Sequence, residues 1–481
     1  MISALNGDLS HELESARAEL SSRIDRMKAA QRSRSAPSIQ ERLESLSRLR
    51  KVIVAHKEDF VRAAQRDFSG RSRHETLLAE VFASLAELDH MSKELPSWAL
   101  VESRPVGPYF VPAKAELRYQ PKGVVGIIAP WNYPVFLSLS PLTGALAAGC
   151  RALIKPSEFT PATSELLARV IAEAFPSDQV YVVTGDADVG QMFSSMPFDH
   201  LLFTGSTRVG KLVMRAASEN LVPVTLELGG KSPAIVHESF DPALAAQRIM
   251  SGKLINAGQT CIAPDYVLVH PSRRERFVAE AQRAAGKMYP TIRDNPDYTS
   301  VISERHAARL RALVDDAERK GARVITCNPR GESLQGQRMA PTLLLDVTDA
   351  MEVMHEEIFG PVLPIVTVGS NDECIAYVNA RPRPLALYYF DNNADRVEHM
   401  LDRTVSGGAC INETIVHVAQ NELPFGGVGP SGMGGYHGRA SFETFSHAKG
   451  VFKQTRLNSA DVLMRPPYGK LMDMAIKVLT R

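Results

Sequence analysis

Leucine and alanine recur at three- and four-residue spacing through ERLESLSRLRKVIVAHKEDFVRAAQRDF (41–68) and TLLAEVFASLAELDHMSKEL (76–95). That period predicts amphipathic helices over residues 10–104. AELRYQPKG (115–123) then reads as an extended arm ended by a Pro-Lys-Gly turn. From there short apolar runs begin near Val124, Ala152, Val180, Leu201 and Val222, and a helical pattern follows each of the first four. Strand and helix alternating at this spacing predict a parallel, doubly wound sheet, whose ligands sit outside the carboxyl ends of its strands. A second alternating set begins after Gly230: SPAIVH, a helix to about Asn256, YVLVH, two charged helices, TLLLDV, PVLPIVTV, ALYYF and GGACIN. The expected fold class is therefore α/β, with two doubly wound domains.

Residues 123–150 carry no charge and are long enough to span a bilayer. Pro130, Pro134, Pro141 and Asn132 interrupt them, so a buried strand, a tight loop and a buried helix explain the same residues better than a membrane span. Charge changes the picture little: 55 basic and 54 acidic residues nearly cancel, which removes the electrostatic motive for nucleic-acid binding. Five scattered cysteines, without a CxxC pair, argue against a disulfide framework and suit a reducing cytoplasm. The thirteen histidines show no metal-ligand spacing, so no metal is expected.

Two familiar patterns fail on context. GVGPSG (427–432) fits GxGxxG but follows no strand, contains Pro430 and opens no helix. GSTRVGK (205–211) has P-loop spacing, yet Leu212 stands where magnesium binding needs a hydroxyl. A strand-to-helix glycine turn still leaves free amides for a phosphate-bearing ligand, so a nucleotide site survives and a nucleotide hydrolase becomes a distant alternative.

Four further stretches carry candidate chemistry. NAGQTCIAP (256–264) sets Cys261 among small and polar residues, where a reactive thiol has room for approach. LELGG (226–230) ends a strand with Glu227, either a surface carboxylate or a general base. PWNYP (130–134) pins Asn132 between prolines, either as a turn asparagine or as a neutral oxyanion donor. IKPSE (154–158) offers Lys155 and Glu158, either an exposed ion pair or the charges that hold a ribose.

PWNYP, KPSE, FTGSTRVG, LELGGKSP, GQTC and EEIFGPV, in order and at sensible spacing, resemble the aldehyde dehydrogenase superfamily over roughly residues 40–450. DYVLVH, ALYYFDNN, SGGACINETIVHVAQ and LPFGGVGPSGMGGYHG point to its class 3-like branch. Within that branch HVAQ, GPSGMG, AKGV and PPYG are similar to bacterial coniferyl aldehyde dehydrogenases.

The resemblance implies the family's fold with a small oligomerisation arm, at about 105–121, and a homodimer. It implies a helical and dinucleotide-binding region over 1–228, a catalytic domain over 229–420 and a C-terminal segment over 421–481. Cys261 is implied as nucleophile, Asn132 with the Cys261 N–H as oxyanion donors, and Glu227 as the base for water. Lys155 and Glu158 are implied at the adenosine ribose, and Gly205 and Ser206 at the pyrophosphate. Glu357 and Phe359 are implied at the nicotinamide, with Gly210, Leu228 and Gly229 completing the cofactor set. Tyr133, Ile262 and His417 are expected to line the aldehyde pocket. The expected reaction is oxidation of an aldehyde, coniferaldehyde to ferulate by the C-terminal resemblance, with NAD preferred and NADP usable. General or medium-chain aliphatic aldehydes are the alternative. The tail LMDMAIKVLTR (471–481) is amphipathic enough to dock as a helix.

Overall fold

The computed structural model describes residues 2–33, 36–456 and 465–480. Its N-terminal helices are α1 (Ile2–Arg32), α2 (Ile39–Ala55), α3 (Lys57–Asp67), the single turn α4 (Arg73–Thr76) and α5 (Ala83–Trp98). Ser38 and Glu41 cap α2 reciprocally, each side chain accepting the other's backbone N–H. Between α4 and α5, Leu77–Phe82 winds as a π-helix. No motif marks α1, yet Leu20, Ile24 and Met27 are buried with Val124, Leu153, Phe198 and Leu201. The helix therefore covers one face of the first sheet.

The expected helical region stops short of residue 104. β1 (Glu102–Arg104) is a strand instead, paired antiparallel to β2 (Lys114–Pro121) in the arm. Its three residues are too few to carry a periodic signal of either kind.

The first large sheet holds β3 (Val124–Ile128), β4 (Arg151–Lys155), β5 (Val180–Val182), β6 (His200–Gly205) and β7 (Val224–Leu228), all parallel. The crossovers are α6 (Phe136–Ala148), α7 (Pro161–Ala174), α8 (Ala187–Ser194) and α9 (Thr207–Ser218). Helices on both faces explain why these strands are almost continuously apolar. Spatial order runs β7-β6-β3-β4-β5, so the chain reverses direction at β3. The crevice at the carboxyl ends of β3 and β6 is the topological switch point. The uncharged stretch 123–150 resolves into β3, a loop and α6, and no described helix is long and apolar enough to cross a membrane.

The second sheet contains β8 (Pro233–Val236), β9 (Tyr266–Val269), β10 (Arg323–Thr326), β11 (Thr342–Leu345), β12 (Val362–Thr367), β13 (Ala386–Phe390) and β14 (Gly408–Ile411). Its order is β10-β11-β12-β9-β8-β13-β14, and only the edge strand β10 runs antiparallel. α10 (Pro242–Leu254), α11 (Arg274–Met288), α12 (Glu304–Arg319), α13 (Asn371–Asn379) and α14 (Ala394–Arg403) flank it.

The glycine-rich segment then returns to the first sheet. β15 (Gly432–Met433) lies antiparallel to β7, with Gly432 opposite Glu227. A Cβ on Gly432 would fall 2.2 Å from the Leu226 carbonyl oxygen, so only glycine permits this approach. After α15 (Gly438–Thr444), β16 (Ser446–Lys453) pairs along the whole of β2 and completes a three-stranded antiparallel arm. Part of the C-terminal tail, residues 457–464, lies outside the described residues. Beyond it, Lys470–Leu479 is helical, with Leu471, Met474 and Val478 exposed.

Candidate active site

The approach to Cys261 is an unusual piece of backbone. After α10 the chain passes through Asn256, Ala257 and Gly258 with φ of 50°, 52° and 76°. A Cβ at Gly258 would fall 2.3 Å from the carbonyl oxygen of Gly360, so the turn is pressed against the Glu357–Gly360 loop. This sharp reversal leaves Cys261 half-buried, whereas Cys150, Cys327, Cys374 and Cys410 are buried. Burial first, then Glu357 and Glu227, push the Cys261 thiol up to about 12.

Glu227 comes from the carboxyl end of β7, is 2% exposed, and has neither carboxylate oxygen in a hydrogen bond. Burial alone raises its pKa well above the ordinary value. Glu357 is pushed up to about 8, mainly by burial and then by Asp265, while the Gly230 N–H pulls the other way. Its carboxylate sits where a Cβ on Gly229 would be, 2.0 Å from Oε2, so Gly229 makes room for that side chain. The thiol thus shares its surroundings with two carboxyl groups whose ionisation burial disfavours.

Asn132 is buried in the loop after β3, and its Nδ2 donates to the Gln259 carbonyl at 3.1 Å. The contact ties the amide to the turn that carries Cys261. An amide nitrogen has two protons, so one remains for a ligand. Beside it, the Trp131 ring packs edge-on against Phe359, centroids 5.3 Å apart, and Phe359 itself adopts a left-handed φ of 52°.

The other expected positions divide into groups. Tyr133 is buried with its hydroxyl 2.7 Å from Thr260 Oγ1, one residue before Cys261. Ile262 is buried one residue after, and its carbonyl accepts from the Tyr388 hydroxyl. The His417 ring lies 6.0 Å from that of Tyr388, both its nitrogens are buried without a partner, and burial pulls its pKa down to about 4. Leu228 is turned inward: it is buried, its side chain would meet a Cβ on Gly210 at 2.7 Å, and its N–H goes to Ser431. Gly210 therefore lets α9 lie close against β7.

At the crevice between β3 and β6 the chain passes from the carboxyl end of β6 into the N-terminus of α9. Ser206 caps α9 by accepting the Val209 N–H, and a Cβ on Gly205 would strike the Phe203 ring at 2.5 Å. The Thr207 and Arg208 N–H groups that open α9 have no acceptor within the helix, as an incoming phosphate requires. Leu212 faces solvent on α9, and nothing supports the nucleotide-hydrolase alternative. Lys155, buried at the end of β4, donates to the Pro156 carbonyl and lies 3.7 Å from the more exposed Glu158. The Lys155–Glu158 pair is therefore half hidden rather than a free surface pair.

A cleft of about 430 Å³ bordered by Arg42, Arg48, Arg151 and Gln179 lies at the amino-terminal end of β4, away from Cys261. Its guanidinium groups already bond to Ala147, Gln179 and Asp178, so it presents no comparable chemistry.

Sequence reasoning passed over several residues here. Tyr436 and His437 reach the site on the glycine-rich return, and Tyr436, raised chiefly by burial, lies near enough to Glu227, Glu87 and Cys261 for them to add to that rise. Nothing local in GMGGYHG signals that. Glu87 left a trace: it shares a buried helical stripe with Leu88, Met91 and Leu95, where a carboxylate is out of place.

The aldehyde dehydrogenase family matches residues 6–451 of the chain. A protein of Pseudomonas aeruginosa named as a probable coniferyl aldehyde dehydrogenase is 52% identical over 464 residues, covering 96% of this chain and 97% of the relative. The coniferyl aldehyde dehydrogenase of Pseudomonas sp. strain HR199 is 48% identical, covering 96% of each. The substrate-bound structure of Staphylococcus aureus AldH superposes with a TM-score of 0.90 at 39% identity, covering 96% of this chain and 99% of that one.

Proposed function

The chain belongs to the aldehyde dehydrogenase family, and we propose that Cys261 is the nucleophile with which it oxidises phenolic aromatic aldehydes to acids. The observation that carries this reading is the meeting of a half-buried thiol with the Glu227 carboxyl, which is sealed from water and has no partner of its own. An unpartnered buried carboxyl costs stability and serves no packing purpose, so chemistry is the better explanation.

In this scheme the Cys261 thiol gives up its proton to solvent, and the thiolate attacks the aldehyde carbon to form the thiohemiacetal oxyanion. The spare Asn132 amide proton and the Cys261 N–H stabilise the oxyanion. A nicotinamide cofactor, when bound, would supply the hydride acceptor, and loss of hydride from the thiohemiacetal carbon leaves a thioester on Cys261. Glu227, in its ionised form, then takes a proton from water; the resulting hydroxide attacks the thioester carbonyl, the carboxylic acid is released, and the departing Cys261 thiolate regains a proton.

Gly205 and Ser206 would receive the cofactor phosphates at α9, with Gly210, Leu228 and Gly229 shaping the cofactor site from behind them. Lys155 and Glu158 would hold the adenosine ribose. Glu357 and Phe359 would hold the nicotinamide ribose and ring. Glu158 can accept from ribose hydroxyls and would repel a 2′-phosphate, which favours NAD, while Lys155 keeps NADP usable. Tyr133, Ile262 and His417 would line a mostly apolar pocket suited to coniferaldehyde, with ferulate as product. The relatives' names support that choice.

Residues 1–228 would form the cofactor-binding half, 229–420 the catalytic domain and 421–481 the C-terminal segment. The β1-β2-β16 arm, including residues 105–121, would join two copies in a homodimer. The five free cysteines suit the cytoplasm.

Absorbance at the reduced-nicotinamide band, with NAD or NADP and a panel of cinnamyl, benzyl and medium-chain aliphatic aldehydes, tests the proposal. Highest kcat/KM with a hydroxylated cinnamaldehyde and NAD is expected. A clear preference for aliphatic aldehydes would overturn the substrate assignment, and a preference for NADP the cofactor assignment.

A further inference from the structure

Arg71 and Glu80 are wholly buried, and neither takes part in the chemistry above. Arg71 Nη2 lies 3.1 Å from Glu80 Oε1, with the guanidinium 4.6 Å from the Phe68 ring centre and 5.1 Å from that of Tyr133. The pair is incompletely satisfied: Arg71 Nε and Nη2 and Glu80 Oε1 make no well-formed hydrogen bond. A buried ion pair of that kind is a poor source of stability, because removing two charges from water costs as much as their attraction returns.

What the pair touches supplies the reason for it. Arg71 Nη1 donates to the Asn132 backbone carbonyl at 2.8 Å. Glu80 Oε2 accepts the N–H groups of Val135 at 2.6 Å and Phe136 at 3.3 Å, at the other end of the same loop. The Asn132 carbonyl also accepts from Asn256 Nδ2 at 3.0 Å, and that amide reaches the Gln259 carbonyl at 3.2 Å. Glu75, from the same segment as Arg71 and Glu80, accepts the Asn256 N–H at 3.1 Å and the Thr299 hydroxyl at 2.6 Å. One ten-residue stretch therefore grips both the loop bearing Asn132 and the left-handed turn leading to Cys261. The π-helical winding of Leu77–Phe82 belongs to this device, since a π segment redirects the side chains that follow it and such segments gather at functional sites.

We infer that Arg71 and Glu80 are positioning residues for the oxyanion, fixing the Asn132 amide relative to the Cys261 N–H. The inference rests on the roles proposed for Asn132 and Cys261. Oxyanion donors act through placement, and a misplacement of about 1 Å costs on the order of 10²-fold in rate.

The test compares Arg71→Met, Glu80→Gln and the double variant, with Arg71→Lys as the conservative control. Urea unfolding, NAD binding, the pre-steady-state hydride burst and the steady-state rate are measured for each. The single variants should lose stability because each leaves an unmatched buried charge, and the double variant should regain it. The burst rate should fall about 10–100-fold in Arg71→Met and remain low in the double variant, with the Kd for NAD within about twofold of wild type. Arg71→Lys, which keeps a donor for the Asn132 carbonyl, should recover part of the burst. A double variant that regains its burst together with its stability would reduce the pair to a structural one and overturn the inference. A wild-type burst in Arg71→Met would do the same. Should Arg71→Met fail to fold, the double variant alone decides. Cys261→Ala, run alongside, tests the nucleophile separately: turnover there would sink the catalytic reading itself.

Discussion

Glu227→Gln should make the protein more stable at neutral pH while stopping its chemistry. The wild-type carboxyl is 2% exposed, lacks any hydrogen-bond partner, and burial alone raises its pKa well above the ordinary 4.5. Below that ordinary value both folded and unfolded chains hold the proton, and the group costs nothing that depends on pH. Between that value and the raised folded-state pKa the unfolded chain ionises while the folded chain does not, so stability falls by about 1.4 kcal/mol per pH unit over that window. Were the folded group to stay neutral up to pH 7, the loss would reach its upper bound of about 3.4 kcal/mol. Glutamine keeps the shape, cannot ionise and removes that slope. Its buried amide carries a desolvation cost comparable to that of the neutral acid, so the diagnostic quantity is the change with pH.

Urea unfolding of both proteins at pH 5, 6, 7 and 8 reads the effect. The variant should gain on wild type steadily between pH 5 and pH 7. Its steady-state rate should drop by about 10²–10⁴-fold, the usual worth of a general base. A variant no more stable than wild type at pH 7, or an advantage that does not change with pH, would refute the reasoning. Glu357 and Glu87, raised to about 8 and about 7 by the same burial, are common to both proteins and cancel in the difference.

Other outcomes follow from the same geometry. In cofactor-free protein the Cys261 thiol, held near 12, should be alkylated by iodoacetamide about tenfold faster per pH unit between pH 6 and 9, read by peptide mapping; a plateau near pH 7 would contradict it. Glu158→Gln should narrow the gap between NAD and NADP chiefly through the KM for NADP, and an unchanged ratio would remove Glu158 from the ribose. Gly258→Ala must hold a side chain at a φ of 76° and 2.3 Å from the Gly360 carbonyl. It should lose at least about 1–3 kcal/mol in urea unfolding together with its activity, and wild-type stability would show that the turn relaxes freely.

The local settings of three candidate residues were legible in the chain. Cys261 among small residues, Glu227 at a strand end between glycines and Asn132 between prolines each carry their signal within a few positions. The alternating apolar runs disclosed both large sheets, because strands covered by helices are continuously hydrophobic. What stayed hidden depends on segments distant in sequence. β10 is a half-exposed edge strand without clean alternation. β15 is two residues long, held by register against β7 rather than by any propensity of Gly432 and Met433. Arg71 and Glu80 read as ordinary charges of a helical region until the Asn132 loop is seen folded over them. α1 showed a helical period but not its destination, since Leu20, Ile24 and Met27 do not specify which sheet they cover.

The central claim is that oxidation proceeds through an acyl group on Cys261. Wild-type protein mixed with NAD and coniferaldehyde, quenched in acid within the hydride burst and digested, gives the decisive measurement by mass spectrometry. A feruloyl adduct on the peptide containing Cys261, stoichiometric with the NADH formed in the burst, is expected, with neither adduct nor NADH from Cys261→Ala. A burst that leaves Cys261 unmodified, or an acyl group on another cysteine, would contradict it.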